Sequence, residues 1–312
     1  MADEKNSTIK YLPDPGLKAA AEVALELGVP LLVTGEPGTG KTELAYWIAG
    51  TLGTTVLRFN TKTISQSKDL FYRYDAIRHF RDSQNKQVNP LNYIQFDALG
   101  KAILASSKKR FVVLVDEIDK APRDFPNDLL FEFEKLAFNI SEASRAELDD
   151  RTFDWKNKPE LKGLDIGKPP FDENGNIVHD PERPRPVLVL TSNSEKNLPE
   201  AFLRRCAFYH IPFPPPDRLL EIIKIHGFLD EKFPVSLAEK AVDYFTQIRE
   251  QGLRKKPATA ELLAWLHILK RWDIDPTKAG VDKELENRIR QTLSLLAKNK
   301  EDMERLSEDF KF

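Results

Sequence analysis

Short, unbroken apolar runs recur through the first two-thirds of the chain: PLLVT (30–34), TVLRF (55–59), FVVLV (111–115), VLVLT (187–191) and AFYHI (207–211). Runs that are apolar on both faces, separated by helical patterns, predict strands of a parallel sheet covered on both sides. After His210 the pattern changes. The segment IPFPPPD (211–217) favours extended geometry, and no strand pattern follows it. Further on, Ala238, Ala241, Val242, Phe245 and Ile248 recur at helical spacing behind Ser236 and Glu239, which predicts a capping-box helix start. Thr259 opens a second helix with Leu262, Leu263, Leu266 and Leu269 on one face, and Leu285, Ile289, Leu293 and Leu296 mark a third. The expected organisation is an α/β domain over residues 1–213 and a small helical domain over 214–312.

Two stretches, about 61–97 and 141–186, are too long to be ordinary connections and read as insertions with structure of their own. Within the second, DENGN (172–176) reads as a hairpin turn.

Three short motifs bring in chemistry. PLLVTGEPGTGKTELA places the pattern GxxxxGKT between an apolar strand and a helical run, the context in which it signals a phosphate-binding loop. Gly35, Gly38 and Gly40 let the backbone wrap so that its amides point at phosphate oxygens, with Glu36, Pro37, Thr39 and Glu43 completing the candidate loop. Lys41 is then expected to reach the β- and γ-phosphates of ATP, and Thr42 to offer its hydroxyl to Mg²⁺. FVVLVDEID puts Asp116 and Glu117 at the carboxyl end of a buried strand, where Asp116 suits the Mg²⁺ shell and Glu117 suits orientation of an attacking water. Asp119 and Lys120 read as a solvated cap. VLVLTSN repeats the design: if this strand lies between the first and third, Asn193 can hydrogen-bond the γ-phosphate or the water. Tyr11 and Ile9, ahead of the first helix, could touch a base, although packing is the commoner use of a lone aromatic.

Composition narrows the alternatives. With 41% hydrophobic and 31% charged residues the chain can bury a sizeable core, and its net charge of -2 provides no global basic field for nucleic acid or anionic lipid. One cysteine, Cys206, forms no internal disulfide, and neither an apolar leader nor a run of membrane-spanning length is present. These features predict a cytoplasmic protein with no membrane contact. His79, His179, His210, His226 and His267 show no metal-ligand spacing.

GEPGTGKT, VDEID, TSN and LRRC, in that order, resemble the AAA+ ATPases, and the wording as a whole resembles the MoxR-like group, from about Tyr11 through the helical tail. The resemblance implies an αβα sandwich with a five-stranded parallel sheet in the order 5-1-4-3-2 and a helical lid. It likens the two insertions to the helix-2 insert and pre-sensor-1 hairpin of the clade of MoxR-like and MCM-like proteins. It further implies that Arg205 is an arginine finger facing the nucleotide of an adjacent subunit, with Arg204 at a variable position. A homo-oligomer follows, a hexameric ring or an open helical assembly, together with a protein client, a von Willebrand A domain protein being the partner the resemblance suggests. One departure concerns the lid arginine that senses the γ-phosphate: LRKKPATAELL holds Ala258 or Glu261 at the corresponding place, leaving Arg254, Lys255 or Lys256 as substitutes.

The resemblance thus implies Mg²⁺-dependent ATP hydrolysis coupled to remodelling or chaperone-like activation of a partner protein, and two other classes compete with that reading. An MCM-like or restriction-type nucleic-acid motor would use Phe71, Tyr72, Tyr74 and Phe80 interleaved with Arg73, Arg78 and Arg81, a pattern that also describes the core and rim of a packed insertion. A nucleotide-gated structural switch would bind ATP without doing work. NKED (299–302) matches a guanine-reading pattern, but it lies in the helical tail rather than after a sheet strand and is read as chance.

Overall fold

The computed structural model describes residues 10–84, 88–105, 108–148, 153–166, 169–194, 198–279 and 282–308; Ile9 lies outside them. They fall into two compact units. The first takes Pro13–Thr34 and Lys41–His210, and the second takes Lys10–Leu12, Gly35–Gly40 and the described residues from Ile211 onward.

The strands in chain order are β1 (Leu31–Gly35), β2 (Val56–Asn60), β3 (Tyr72–Tyr74), β4 (Ile94–Phe96), β5 (Val112–Asp116), β6 (Ala137–Phe138), β7 (Ile177–Val178), β8 (Val187–Ser192) and β9 (Ala207–Ile211). The helices are α1 (Pro15–Leu27), α2 (Lys41–Thr51), α3 (Ala76–Ser83), α4 (Ala98–Leu104), α5 (Phe125–Lys135), α6 (Arg145–Leu148), α7 (Glu200–Leu203), α8 (Pro216–Ile225), α9 (Val235–Glu250), α10 (Thr259–Arg271), α11 (Lys283–Thr292) and α12 (Lys300–Glu308).

Each of the five apolar runs forms a strand of one sheet. The expected five-stranded parallel sheet is present; its order differs from 5-1-4-3-2 as written, because four further strands among the described residues form two small sheets and chain numbering gives β2-β5-β8-β1-β9. Its register is parallel: Leu31 faces Val189, Val112 faces Val187, and β2 follows β5 from Val56–Val112 to Asn60–Asp116. Every residue of β1, β5 and β8 is buried, which is why their sequences are apolar without alternation. Helix α1 starts where Asp14 accepts from the Leu17 amide at 2.9 Å with Pro15 at the first helical position, and ends where Gly28 takes φ 63°.

One small sheet lies in the first insertion, and the second insertion contributes one strand to the other. Antiparallel β3 and β4 lie in the first, while β7 of the second pairs with β6. The turn over DENGN forms: Asp172 accepts from the Asn174 and Asn176 amides at 2.9 and 2.8 Å, and Phe171 bridges Ile177. Aromatic side chains knit the insertions into the main core, with Phe71 stacked on Phe138 at 5.1 Å and Phe96 beside Trp155 at 5.9 Å.

The second unit is helical from α8 to α12 around Trp265, Phe245, Leu266, Ile289 and Leu293, all fully buried. Two sequence expectations need correction here. Helix α9 begins at Val235 with Pro234 as its cap and no side-chain cap bond, so Ser236 sits inside the first turn and no capping box forms with Glu239. The third helix stops at Thr292, and Leu293–Leu295 continues as a 3₁₀ turn. There the Thr292 hydroxyl donates to the Ile289 carbonyl and accepts from the Trp265 indole, both at 2.6 Å. Among the described residues no helix is long and apolar enough to cross a membrane.

Gly100, inside α4, has no room for a side chain, because a Cβ there would meet the Phe71 carbonyl oxygen at 2.1 Å. That oxygen already accepts from the Asp97 amide at 2.8 Å and cannot yield freely. Gly100→Ala is therefore expected to destabilise the fold by about 3 kcal/mol. The loss will register as a lowered urea midpoint at constant m-value, and an unchanged midpoint would contradict the packing.

Candidate active site

In the first unit three elements converge on Asp116, the last residue of β5, which is only 6% exposed. Arg58 of β2 donates to Oδ2 at 2.6 Å, Thr191 of β8 donates to Oδ1 at 2.6 Å, and Thr42 in the first turn of α2 donates to Oδ1 at 3.0 Å. The register makes this possible: Arg58 faces Leu114, which places it diagonally across the strand pair from Asp116. A buried carboxylate is tolerated when its oxygens are hydrogen-bonded and a cation is near, and both conditions hold.

The following residue, Glu117, has left-handed backbone geometry, φ 57° and ψ 52°, which for a side chain of this kind costs roughly 1–3 kcal/mol. Its amide donates to the Thr191 hydroxyl at 2.9 Å, so one threonine holds both Asp116 and the turn after it. The Glu117 carboxylate pairs with Lys120, and that hydrogen bond raises the lysine's pKa above its ordinary value. Asp119 accepts from the Asn193 amide at 3.3 Å. Asp119 and the exposed Lys120 cap the strand end as expected, and each also touches a candidate site residue. Asn193 follows β8, which lies between β1 and β5.

In the second unit the loop Gly35–Gly40 is built around absent side chains. Gly35, Gly38 and Gly40 have φ of 151°, 76° and 90°. A Cβ on each would lie 2.7 Å from, respectively, the Ile211 carbonyl oxygen, the Ala258 Cβ and the Tyr11 ring. Thr39 closes the turn by donating its hydroxyl to the Glu36 carbonyl at 2.9 Å. Tyr11 therefore packs on the loop. The chain runs from Gly40 directly into α2, where Lys41 is buried and Glu43 occupies the first turn.

Each set by itself suits a ligand, the loop a phosphate chain and the first unit's oxygens Mg²⁺. The loop is a cradle that side chains would fill, and the hydroxyl–carboxylate pair Thr42 and Asp116 is a hard-oxygen donor set. Mg²⁺ is ordinarily held by one or two protein oxygens together with substrate phosphates. Among the described residues no group of three or more His, Cys, Asp or Glu is arranged to hold a metal by itself.

The family model for the ATPase family associated with various cellular activities (AAA) matches residues 31–214, more than half of the chain. The chain belongs to the AAA ATPases. Solved structures similar to it include the Holliday junction branch migration motor RuvB of Thermotoga maritima, at 17% identity and a TM-score of 0.43 over 89% of this chain and 67% of that one. A point variant of the same RuvB gives 16% identity and a TM-score of 0.44 over the same shares. No functionally curated protein is significantly similar to the chain.

The arginine pair of this AAA ATPase lies elsewhere in the first unit. Arg204 forms an ion pair with Glu200, while exposed Arg205 reaches the Ala201 carbonyl at 3.5 Å. The two follow the short helix α7 and precede β9, whose Ala207 amide bonds the Pro30 carbonyl at 2.9 Å just ahead of β1. Arg205 is therefore at the amino end of the sheet, and Asp116 at the carboxyl end. Burial pushes the neighbouring Cys206 thiol up to about 12, leaving negligible thiolate at neutral pH. In the first insertion Phe71 and Tyr72 are buried, whereas Phe80 is 69% exposed. Arg73 pairs with Asp97, and Arg78 and Arg81 share Asp82.

Two residues central to this geometry carry no motif signal: Arg58 and Arg249, the latter bonded to Glu36 at 2.8 Å; Thr191 lies within TSN, a motif read only for Asn193. A charged residue inside the run TVLRF was the one available hint for Arg58. Thr191→Val, which keeps shape but removes the hydroxyl, is expected to cost about 2 kcal/mol because Asp116 and the Glu117 amide each lose a partner. Thr191→Ser should lose less. Urea unfolding of both variants checks this, and equal losses would show that the hydroxyl is not what matters.

Proposed function

We propose that this AAA ATPase hydrolyses ATP with Mg²⁺ as a head-to-tail homo-oligomer of the MoxR-like type and uses the cycle to remodel a partner protein. The observation that carries the reading is the shared hold on Asp116: Thr42 and Thr191 both donate to its Oδ1, and Thr191 also receives the Glu117 amide. A phosphate-loop hydroxyl, a metal-binding carboxylate and a second carboxylate are thereby fixed at the carboxyl ends of parallel strands.

On this reading the amides of Gly35–Gly40 and the Lys41 ammonium bind the phosphates, with Glu36, Pro37, Thr39 and Glu43 shaping the loop and its helix. Thr42 and Asp116 hold Mg²⁺, directly or through water. When bound, Mg²⁺ neutralises charge on the β- and γ-oxygens. Glu117 releases Lys120, orients the attacking water and accepts its proton through a hydrogen bond, while the Asn193 side chain fixes the water or the γ-phosphate. Arg205 serves the site of a neighbouring chain, since it stands at the sheet end opposite its own Asp116. The helical unit acts as the lid. The structured insertions support a MoxR-like assignment, with a client protein, such as one bearing a von Willebrand A domain, engaged there or through another chain. Burial of Phe71 and Tyr72 and the pairing of Arg73 with Asp97 weigh against the nucleic-acid motor.

Variants test the roles separately. Lys41→Ala is expected to lose ATP binding, and Glu117→Gln to bind ATP without cleaving it. Arg205→Ala should bind normally and turn over slower by a factor on the order of 10³. Wild-type specific activity should rise with protein concentration. A verified monomer hydrolysing ATP at full rate, or an undiminished Arg205→Ala, would overturn the shared site.

A further inference from the structure

Arg249 is 9% exposed and lies one residue from the end of α9. Its guanidinium stacks 3.3 Å from the centroid of Phe213, donates to the Pro257 carbonyl, and donates to the Glu36 carboxylate at 2.8 Å. One planar cation thus touches three separate segments, an arrangement the shorter, single-headed lysine cannot reproduce. The next residue after Pro257 is Ala258, whose methyl would be 2.7 Å from any Cβ on Gly38. The same short segment, Pro257–Ala258, therefore meets the phosphate loop twice, by packing at Gly38 and through Arg249 at Glu36.

We propose that the Arg249–Glu36 pair is a latch that pre-organises the phosphate loop, making Arg249 a positioning residue for nucleotide binding. The proposal rests on the reading of Gly35–Gly40 as the nucleotide cradle. Three glycines at positive φ give that loop unusual conformational freedom, and every state it samples away from the cradle must be given up on binding. An ion pair anchored in the buried core of the helical unit removes part of that freedom beforehand. The Glu36 side chain is 45% exposed, whereas Arg249 is also held by Phe213 and Pro257.

The test uses the full chain and a fluorescent ATP analogue. Glu36→Gln leaves the buried arginine its two other contacts, so it keeps the fold. It is expected to weaken nucleotide affinity and raise KM about tenfold while kcat falls by less than about twofold. Amides of the peptide covering residues 35–42 should exchange faster with solvent in the nucleotide-free variant than in wild type. Arg249→Lys should fall between wild type and Arg249→Met, and Glu36→Gln combined with Arg249→Met should bind no worse than the weaker single variant. Wild-type affinity in Glu36→Gln, unchanged exchange, or additive losses in the double variant would overturn the latch. Lys41→Ala, measured alongside, separates the two ideas: if it loses ATP while Glu36→Gln does not, only the latch fails, and if it retains ATP the cradle reading fails and takes the latch with it.

Discussion

The hydrogen bonds that meet on Asp116 set the geometry of everything around them. A carboxylate with 6% exposure has to be satisfied locally, and its partners come from β2, β8 and α2, none of them adjacent to it in sequence. Only one register of the parallel strands lets Arg58 and Thr191 reach it, because a slip of one residue would send each of these side chains to the opposite face. The apolar core selects that register through burial of whole strands, and the polar cluster makes every alternative costly. Thr191 extends the constraint one residue further, since holding the Glu117 amide offsets part of the strain of a left-handed glutamate.

Much of this was legible in the chain because the signals are local. Strands buried on both faces must be apolar throughout, and all five runs lie within one residue of the observed strands. The glycine pattern between strand and helix was readable for the same reason: each glycine answers a backbone requirement at its own position. Arg58 and Arg249 were not legible, because their partners lie 58 and 213 residues away and are brought to them only by tertiary structure. The expected capping box failed on a local competitor. Pro234, in extended geometry, takes the cap position of α9, so Ser236 falls inside the first turn and cannot cap it.

The insertions illustrate how the same residues support two readings until burial is known. Aromatics interleaved with arginines could stack bases, yet Phe71, Tyr72, Phe96, Phe138 and Trp155 belong to one buried cluster spanning both insertions. The arginines beside them meet Asp97 and Asp82 at the surface. Burial of this kind makes the long connections part of the α/β core, while Ile64 and, in α3, Ile77 and Phe80 face solvent. A buried lysine, Lys158, follows the same logic: desolvation lowers its pKa, and Glu160 and the Ile94 carbonyl compensate.

Sheet polarity carries the argument for assembly. All ligands of the proposed nucleotide site in the first unit, Lys41, Thr42, Asp116 and Asn193, follow or begin at carboxyl ends of strands, while Arg205 precedes the amino end of β9. Strands of five residues separate those ends by about 16 Å, well beyond the reach of one arginine side chain around a filled core. If Arg205 completes a phosphoryl-transfer site, as proposed, that site belongs to another molecule, and the contact would join unlike surfaces. Repeating such a contact yields a ring where the rotation closes and a helix where it does not. On the proposed reading, hydrolysis and assembly are therefore one requirement, imposed by the direction in which the strands run.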